Sequence, residues 1–396
     1  MGMNDTPKGE RLHIALFGKR NAGKSSLING MTGQNLSIVS EVKGTTTDPV
    51  FKAMEILPIG PVMLIDTPGL DDYGELGELR IKKAKEVLRK TDVALLIVDA
   101  TDCQDLSLEF ELAKELEQRK VPYLWVYNKS DIFSKKDCTE NEICVSAVRG
   151  DGIDQLKEKL PQLLPKEQER PLVRDLINEG DLVILVIPID KAAPKGRLIL
   201  PQQQTIRDIL EKGGIPVVVR NTELQQVFSK LNQKPKMVIT DSQAFEEVAK
   251  VTPQDIPLTS FSILMARYKG NLAILAKNAG KIEKLKDGDK ILMSEGCTHH
   301  RQCGDIGTVK LPNWMRKYTG KELLFETSSG GGFPEDLSKY AMIVHCGACM
   351  LNANEMKYRM QEAVIQGVPI VNYGILIAYM KGIVKRSLAL FPDIEE

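Results

Sequence analysis

Gly18-Lys19-Arg20-Asn21-Ala22-Gly23-Lys24-Ser25 decides the fold of the first part of this chain. The spacing GxxxxGKS follows the apolar run Leu12–Phe17 and opens a helical stretch. That strand–loop–helix setting is the one a phosphate-binding loop needs. Gly18 and Gly23 let backbone N–H groups curl around phosphate oxygens, and the helix N-terminus adds positive partial charge. Asn21, Ala22 and Ser26 belong to the same nucleotide-binding set. Lys24 is expected to reach the β- and γ-phosphates, and Ser25 to ligate Mg²⁺.

Three further elements follow in order. Asp66-Thr67-Pro68-Gly69 closes the apolar run Val62–Ile65, where Asp66 can hold the metal through water and Gly69 can offer its N–H to the γ-phosphate. Asn128-Lys129-Ser130-Asp131 follows Tyr123–Tyr127. Asp131 can accept two hydrogen bonds from guanine N1–H and its exocyclic amine, a donor pair adenine lacks, so the base read is guanine. Ser146-Ala147 follows Ile143–Val145 and suits a backbone contact to the base O6. Gly44-Thr45-Thr46-Thr47-Asp48 lies where a nucleotide-sensing switch loop belongs. The expected activity is GTP hydrolysis, with Lys24, Gly69 and one threonine hydroxyl of the switch loop as its catalytic set. Leu70 stands where a water-orienting glutamine would serve, so intrinsic hydrolysis is expected to be slow.

The chain has 396 residues, with 53 Lys plus Arg against 53 Asp plus Glu. A neutral chain argues against a nucleic-acid partner. No apolar run reaches membrane-spanning length, so no membrane partner is expected. Met1–Lys8 is polar, and the expected location is cytoplasmic. The seven cysteines are an odd count, which suits free or metal-binding thiols better than a disulfide framework. Cys103, Cys138 and Cys144 read as ordinary thiols, whereas Cys297, Cys303, Cys346 and Cys349 cluster with His299, His300 and His345.

Strands alternating with helices predict an α/β chain of three domains. The first, 1–168, is a P-loop GTPase domain with a mainly parallel sheet, ending in a linker over Pro161–Pro171. The second, 169–258, is a small α/β domain without His or Cys. The third, 259–396, opens with a helix over Thr259–Asn278 and carries strands Lys290–Ser294, Leu323–Glu326, Ala341–Val344 and Pro369–Val371. Cys297-Thr298-His299 and His345-Cys346-Gly347-Ala348-Cys349 both lie just past strands, where parallel sheets build sites. Cys297, Cys346 and Cys349 supply three thiolates, with His299, His345 and Cys303 as candidates for a fourth ligand. Thiolates favour zinc or an iron–sulfur cluster. Gly330-Gly331-Gly332 follows a strand of the same domain, either as a close-packing or moving loop or as a surface turn.

The GTPase motifs resemble those of the TrmE–Era-like GTPases, which carry a GTTxD pattern at the switch. That likeness implies Thr46 as the hydroxyl completing the Mg²⁺ shell, and Asn21 as the residue that holds K⁺ in potassium-stimulated relatives. The whole chain resembles the HydF family, the maturation GTPases of FeFe-hydrogenases, whose C-x-H…H-C-x-x-C signature reads here as Cys297-Thr298-His299 and His345-Cys346-Gly347-Ala348-Cys349. The resemblance implies a 4Fe–4S cluster on Cys297, Cys346 and Cys349, a fourth ligand that is not a cysteine, and a homodimer formed through the middle domain. It also implies a scaffold that takes a di-iron precursor assembled with the radical-SAM maturases HydE and HydG and passes it to the apo-hydrogenase. A GTPase regulator with a structural zinc site and an RNA-modification or ribosome-assembly GTPase are the alternatives.

Overall fold

The computed structural model describes residues 6–33, 48–69, 75–133, 138–164, 171–189, 198–297, 305–391 and 394, with backbone alone for 75–81. The chain parts into two compact units, Met1–Gln168 and Glu169–Glu396.

The first unit is built on strands β1 (Leu12–Phe17), β2 (Val50–Ile56), β3 (Gly60–Asp66), β4 (Val93–Asp99), β5 (Tyr123–Asn128) and β6 (Glu142–Cys144), in the order β2-β3-β1-β4-β5-β6. Helices α1 (Lys24–Thr32), α2 (Glu75–Leu88), α3 (Ser107–Gln118) and α4 (Ile153–Leu163) connect them. Every pairing is parallel except β2 on β3. Alternate residues of β1 point to opposite faces. Ile14 and Leu16 pack with Leu27 and Ile28 of α1 and Leu156 and Leu160 of α4. Ala15 and Phe17 pack with Val87 and Leu88 of α2 and Leu116 of α3. Two covered faces explain why these strands read as continuous apolar runs. β2 is one of the two edge strands, with Val50 and Phe51 exposed. Its mixed sequence carries no continuous run, and sequence reading did not separate it from the loops. α4 continues through Pro161, where a linker was expected to begin, because buried Leu156 and Leu160 hold its last turns.

The second unit contains β7 (Leu182–Val186), α5 (Leu200–Glu211), β8 (Ile215–Val219), α6 (Leu224–Lys230), β9 (Met237–Thr240), α7 (Phe245–Val251), β10 (Leu258–Ser260), α8 (Phe261–Lys269) and α9 (Leu272–Ala279). It continues through β11 (Lys290–Glu295), α10 (Leu311–Thr319), β12 (Leu324–Ser329), β13 (Met342–His345), α11 (Ala353–Ile365), β14 (Ile370–Asn372), α12 (Tyr373–Met380) and α13 (Val384–Leu388). Two four-stranded parallel sheets result, β10-β9-β7-β8 and β12-β11-β13-β14. One apolar core runs through both, from Leu172 to Phe391. The division expected at 258/259 falls within β10.

The single helix expected over Thr259–Asn278 is a strand and two helices. Thr259 and Ser260 pair with Ile239 and Thr240 of β9. The Ser260 hydroxyl then caps α8 by accepting the Ile263 N–H at 3.3 Å, and Asn271 caps α9 by accepting the Ile274 N–H at 3.2 Å. No helix among the described residues is long and apolar enough to cross a membrane. Replacing Ser260 by Ala removes a cap and is expected to cost the second unit about 1 kcal/mol, read as a lower urea midpoint.

Candidate functional site

The P-loop leaves β1 at Phe17 and enters α1 at Lys24, between neighbours β3 and β4. Its glycines are fixed by space. A Cβ on Gly18 would stand 2.2 Å from the Ile97 carbonyl oxygen, and one on Gly23, at φ +89°, would stand 2.1 Å from Asn128 Nδ2. The Lys24 ammonium is buried inside the loop and donates to the carbonyls of Gly18 and Lys19, each at 2.8 Å. Ser25 Oγ donates to Asp66 Oδ2 at 2.5 Å, so the two expected metal-binding groups meet at the carboxyl ends of β1 and β3. Burial pushes the Asp66 carboxyl up, against the Ser25 hydrogen bond and the Lys24 charge. A divalent cation there would supply the compensation that burial withholds. Thr67 Oγ1 donates to the Leu16 carbonyl at 2.6 Å and locks the start of the Asp66–Gly69 turn onto β1.

Asn128 ties its own loop and the Ser146-Ala147 loop to the P-loop, bringing the expected base and phosphate contacts together. Its Nδ2 donates to the Ala22 carbonyl at 3.0 Å, and its Oδ1 accepts the Ala147 N–H at 3.0 Å. Ser146 Oγ donates to Asp131 Oδ1 at 2.7 Å, bringing the two expected guanine contacts together. Lys129, at φ +66°, pairs with Asp99 at the end of β4. Asn21, also left-handed at φ +61°, is exposed on the loop. Ser26 is exposed in the first turn of α1, and Gly69 lies three residues past Asp66. Thr46 and Leu70 lie outside the described residues.

The cysteines lie in the second unit. Register places Ser294 opposite His345, and His345 opposite Asn372, so β11, β13 and β14 end level. Cys297 follows β11, and Cys346 follows β13 directly. Cys346 Sγ accepts the Gly296 N–H at 3.1 Å and the Ala348 N–H at 3.4 Å. Ala348 adopts φ +55° to make that turn, a left-handed conformation that L-residues rarely hold. Burial pushes the Cys297 thiol up to about 12, with Cys346, Cys349 and Glu295 adding to the effect. Burial likewise pushes Cys346 up to about 11, against its two backbone donors. The three thiols thus lie within electrostatic reach of one another, and one of them already receives two backbone N–H donors.

His345 is fully buried, and burial together with the Arg359 charge pushes it down to about 3. Arg359 Nη1 stands 3.1 Å from His345 Nε2, and the Cys346 carbonyl oxygen stands 2.9 Å from Nδ1. An arginine can only donate, so Nε2 accepts and Nδ1–H donates to the Cys346 carbonyl. Both ring nitrogens are thus engaged by the protein. Arg359 also donates to Glu355 Oε1 at 2.9 Å and to the Gly330 carbonyl, and lies over the Phe333 ring. The Gly330–Gly332 turn is thereby held from its first residue. Lys269, buried at the end of α8, donates to the carbonyls of Cys349 at 3.0 Å and Leu351 at 2.7 Å. The Tyr373 hydroxyl is buried and has no hydrogen-bond partner among the described residues. A Cβ on Gly307 would stand 2.5 Å from that hydroxyl and 2.4 Å from Glu295 Oε1. Among the described residues, no three His, Cys, Asp or Glu are grouped for a single metal ion. His299, His300 and Cys303 lie outside the described residues.

Sequence reading missed Arg359, Lys269 and Tyr373. The signal for Arg359 is a cation on the apolar stripe Met356, Met360 and Ala363 of α11. Lys269 and Tyr373 give no such signal.

The family model of the hydrogen maturase F dimerization domain matches residues 172–270, and that of its tetramerization domain matches 273–390. Together they span more than half of the chain. The chain belongs to the hydrogen maturase F family. A third model, described as 50S ribosome-binding GTPase, matches residues 13–129. Among curated relatives, the tRNA modification GTPase MnmE of Legionella pneumophila is 39% identical over 158 residues, 39% of this chain and 35% of that protein. The MnmE of Xanthomonas oryzae is 38% identical over 154 residues, 38% of this chain and 34% of that protein. The matched part of this chain thus corresponds to about a third of the length of these relatives. The solved structure of Aquifex aeolicus Era bound to GDP and aluminium fluoride superposes with a TM-score of 0.34 at 21% identity, covering 60% of this chain and 97% of that one. This chain thus carries a GTPase match in its first unit and both hydrogen maturase F matches in the cysteine-bearing second unit.

Asn128→Ala removes both links between the phosphate and base loops. Guanine-nucleotide affinity is expected to fall by about tenfold or more, the equivalent of roughly 1–3 kcal/mol, in a titration with fluorescent GDP.

Proposed function

We propose that the chain is a GTP-hydrolysing scaffold that holds a 4Fe–4S cluster, receives the di-iron precursor of the FeFe-hydrogenase active site, and delivers it to the apo-hydrogenase. HydE and HydG are the maturases that supply the precursor. What supports this reading is a conjunction in one hydrogen maturase F chain: three thiols within electrostatic reach of one another past β11 and β13, together with a GTPase-domain match whose P-loop is tied to the Asn128 loop. The MnmE relatives support the GTPase part alone.

Cys297, Cys346 and Cys349 would hold the cluster, which supplies an iron with an exchangeable position for an incoming group. Lys269 fixes the CxxC turn through its carbonyls, and the Gly296 and Ala348 N–H groups stabilise charge on Cys346. His345, with both ring nitrogens engaged, is assigned a supporting role, while His299 remains the histidine candidate for the fourth ligand. Residues 169–258 are assigned to dimerisation and 259–396 to the cluster. The dimerization and tetramerization models support self-association.

In the GTPase domain, Lys24 carries the β- and γ-phosphates, while Ser25, Thr46 and Asp66 serve Mg²⁺. Gly69 senses the γ-phosphate. Exchange of GTP for GDP at this site biases contacts with partners; residues 45–47 and the segment after Gly69, where the response is expected, lie outside the described residues. Asn21 holds K⁺ beside the phosphates, supplying charge where a slow GTPase without a water-orienting glutamine lacks it.

Anaerobic reconstitution with ferrous iron and sulfide tests the cluster. The native chain is expected to turn brown and to retain iron and sulfide in equal amounts. The triple variant Cys297→Ser, Cys346→Ser, Cys349→Ser loses both while still binding GTP; iron retained by that variant sinks the assignment. Steady-state hydrolysis tests the cation: K⁺ raises the rate severalfold over Na⁺, and equal rates remove Asn21 from that role.

A further inference from the structure

The segment between the two guanine-reading loops holds a pair of thiols that nucleotide binding does not use. Cys138 Sγ and Cys144 Sγ lie 2.7 Å apart, inside van der Waals contact and outside the roughly 2.05 Å of a disulfide bond. Neither is bonded to another cysteine. Sequence alone gave no reason to single them out from Cys103. Their meeting is enforced by a closed turn. The Thr139 N–H donates to Glu142 Oε2 at 3.0 Å, and the Glu142 N–H donates to the Thr139 carbonyl at 3.1 Å. Lys159 of α4 grips the same turn through the carbonyls of Glu140 at 2.8 Å and Glu142 at 3.1 Å. Cys144 ends β6, paired with Tyr127 of β5, and Cys138 is exposed.

The position matters because of what flanks it. Ser146 stands two residues after Cys144 and donates to Asp131. Cys138 lies on the segment that starts from Asp131. A bond between the sulfurs therefore shortens the covalent path between Asp131 and Ser146.

We propose that Cys138 and Cys144 are a dithiol site that exchanges with low-molecular-weight disulfides, and that the resulting bond clamps the guanine site around its nucleotide. The clamp rests on the guanine-reading roles of Asp131 and Ser146; the bond does not. The exposed Cys138 thiolate attacks one sulfur of the disulfide, forming a mixed disulfide and releasing one thiolate. The Cys144 thiolate then attacks Cys138 Sγ, forming the internal bond and releasing the second thiolate. The protein gives up two electrons, the small disulfide is reduced to two thiols, and those thiols carry the two protons.

The full chain is incubated anaerobically with oxidised glutathione, digested, and mapped by mass spectrometry, and release of fluorescent GDP is timed before and after. The peptide carrying Cys138 and Cys144 is expected to become lighter by two hydrogens. GDP release is expected to slow severalfold, and dithiothreitol reverses both. Cys138→Ser shows neither change and releases GDP at the reduced rate throughout. Glutathione retained on Cys138 with no internal bond overturns the dithiol site. An internal bond with unchanged GDP release overturns the clamp. A reduced chain that binds no GDP overturns the guanine reading and the clamp with it, and is told apart because the mass change still appears.

Discussion

Parallel pairing forces the carboxyl ends of neighbouring strands to one edge of a sheet, and both candidate sites in this chain are made from residues at or just past such an edge. In the first unit, β1, β3, β4 and β5 deliver the P-loop, Asp66, Asp99 and Asn128 side by side. In the second, β11 and β13 deliver Cys297 and Cys346 from positions 49 residues apart in the chain. No side-chain preference could assemble these groups without that alignment. The strands' interiors supply the rigidity and the loops supply the chemistry.

Each site then depends on a buried polar side chain that joins loops. Asn128 spends both ends of its amide on backbone groups of two loops, so the phosphate and base regions keep one relative position. Arg359 does the equivalent in the second unit, reaching His345, Glu355 and the Gly330 carbonyl from within the core. A buried guanidinium is expensive unless its donors are satisfied. Here its bonds fix the imidazole tautomer, which in turn fixes the Cys346 carbonyl. Lys269 holds the far end of the same turn.

What the sequence disclosed follows from the range of the interactions involved. GxxxxGKS, the Asp66 turn, Asn128–Asp131 and Ser146-Ala147 are local patterns with fixed spacing, and they stood out. Continuous apolar strands were legible because both faces are covered, whereas β2, open on one face and lying at the edge, was not. Thr259 and Ser260 were absorbed into a long helix because their pairing partners, Ile239 and Thr240, lie some 20 residues earlier. Arg359, Lys269 and Tyr373 gain their meaning from contacts across tens of residues, which periodicity does not carry. The Cys138–Cys144 contact is short-range, yet it depends on how a turn closes, and spacing alone did not reveal it.

The second unit's two sheets share a single apolar core, with α8 contributing Ile263, Leu264 and Met265, all without solvent exposure. A cut near residue 271, between the matched dimerization and tetramerization stretches, would part that helix from α9, α11, α12 and β14. The two halves are therefore a single cooperative block, and damage at the thiol end would be felt as loosening at the end assigned to subunit pairing.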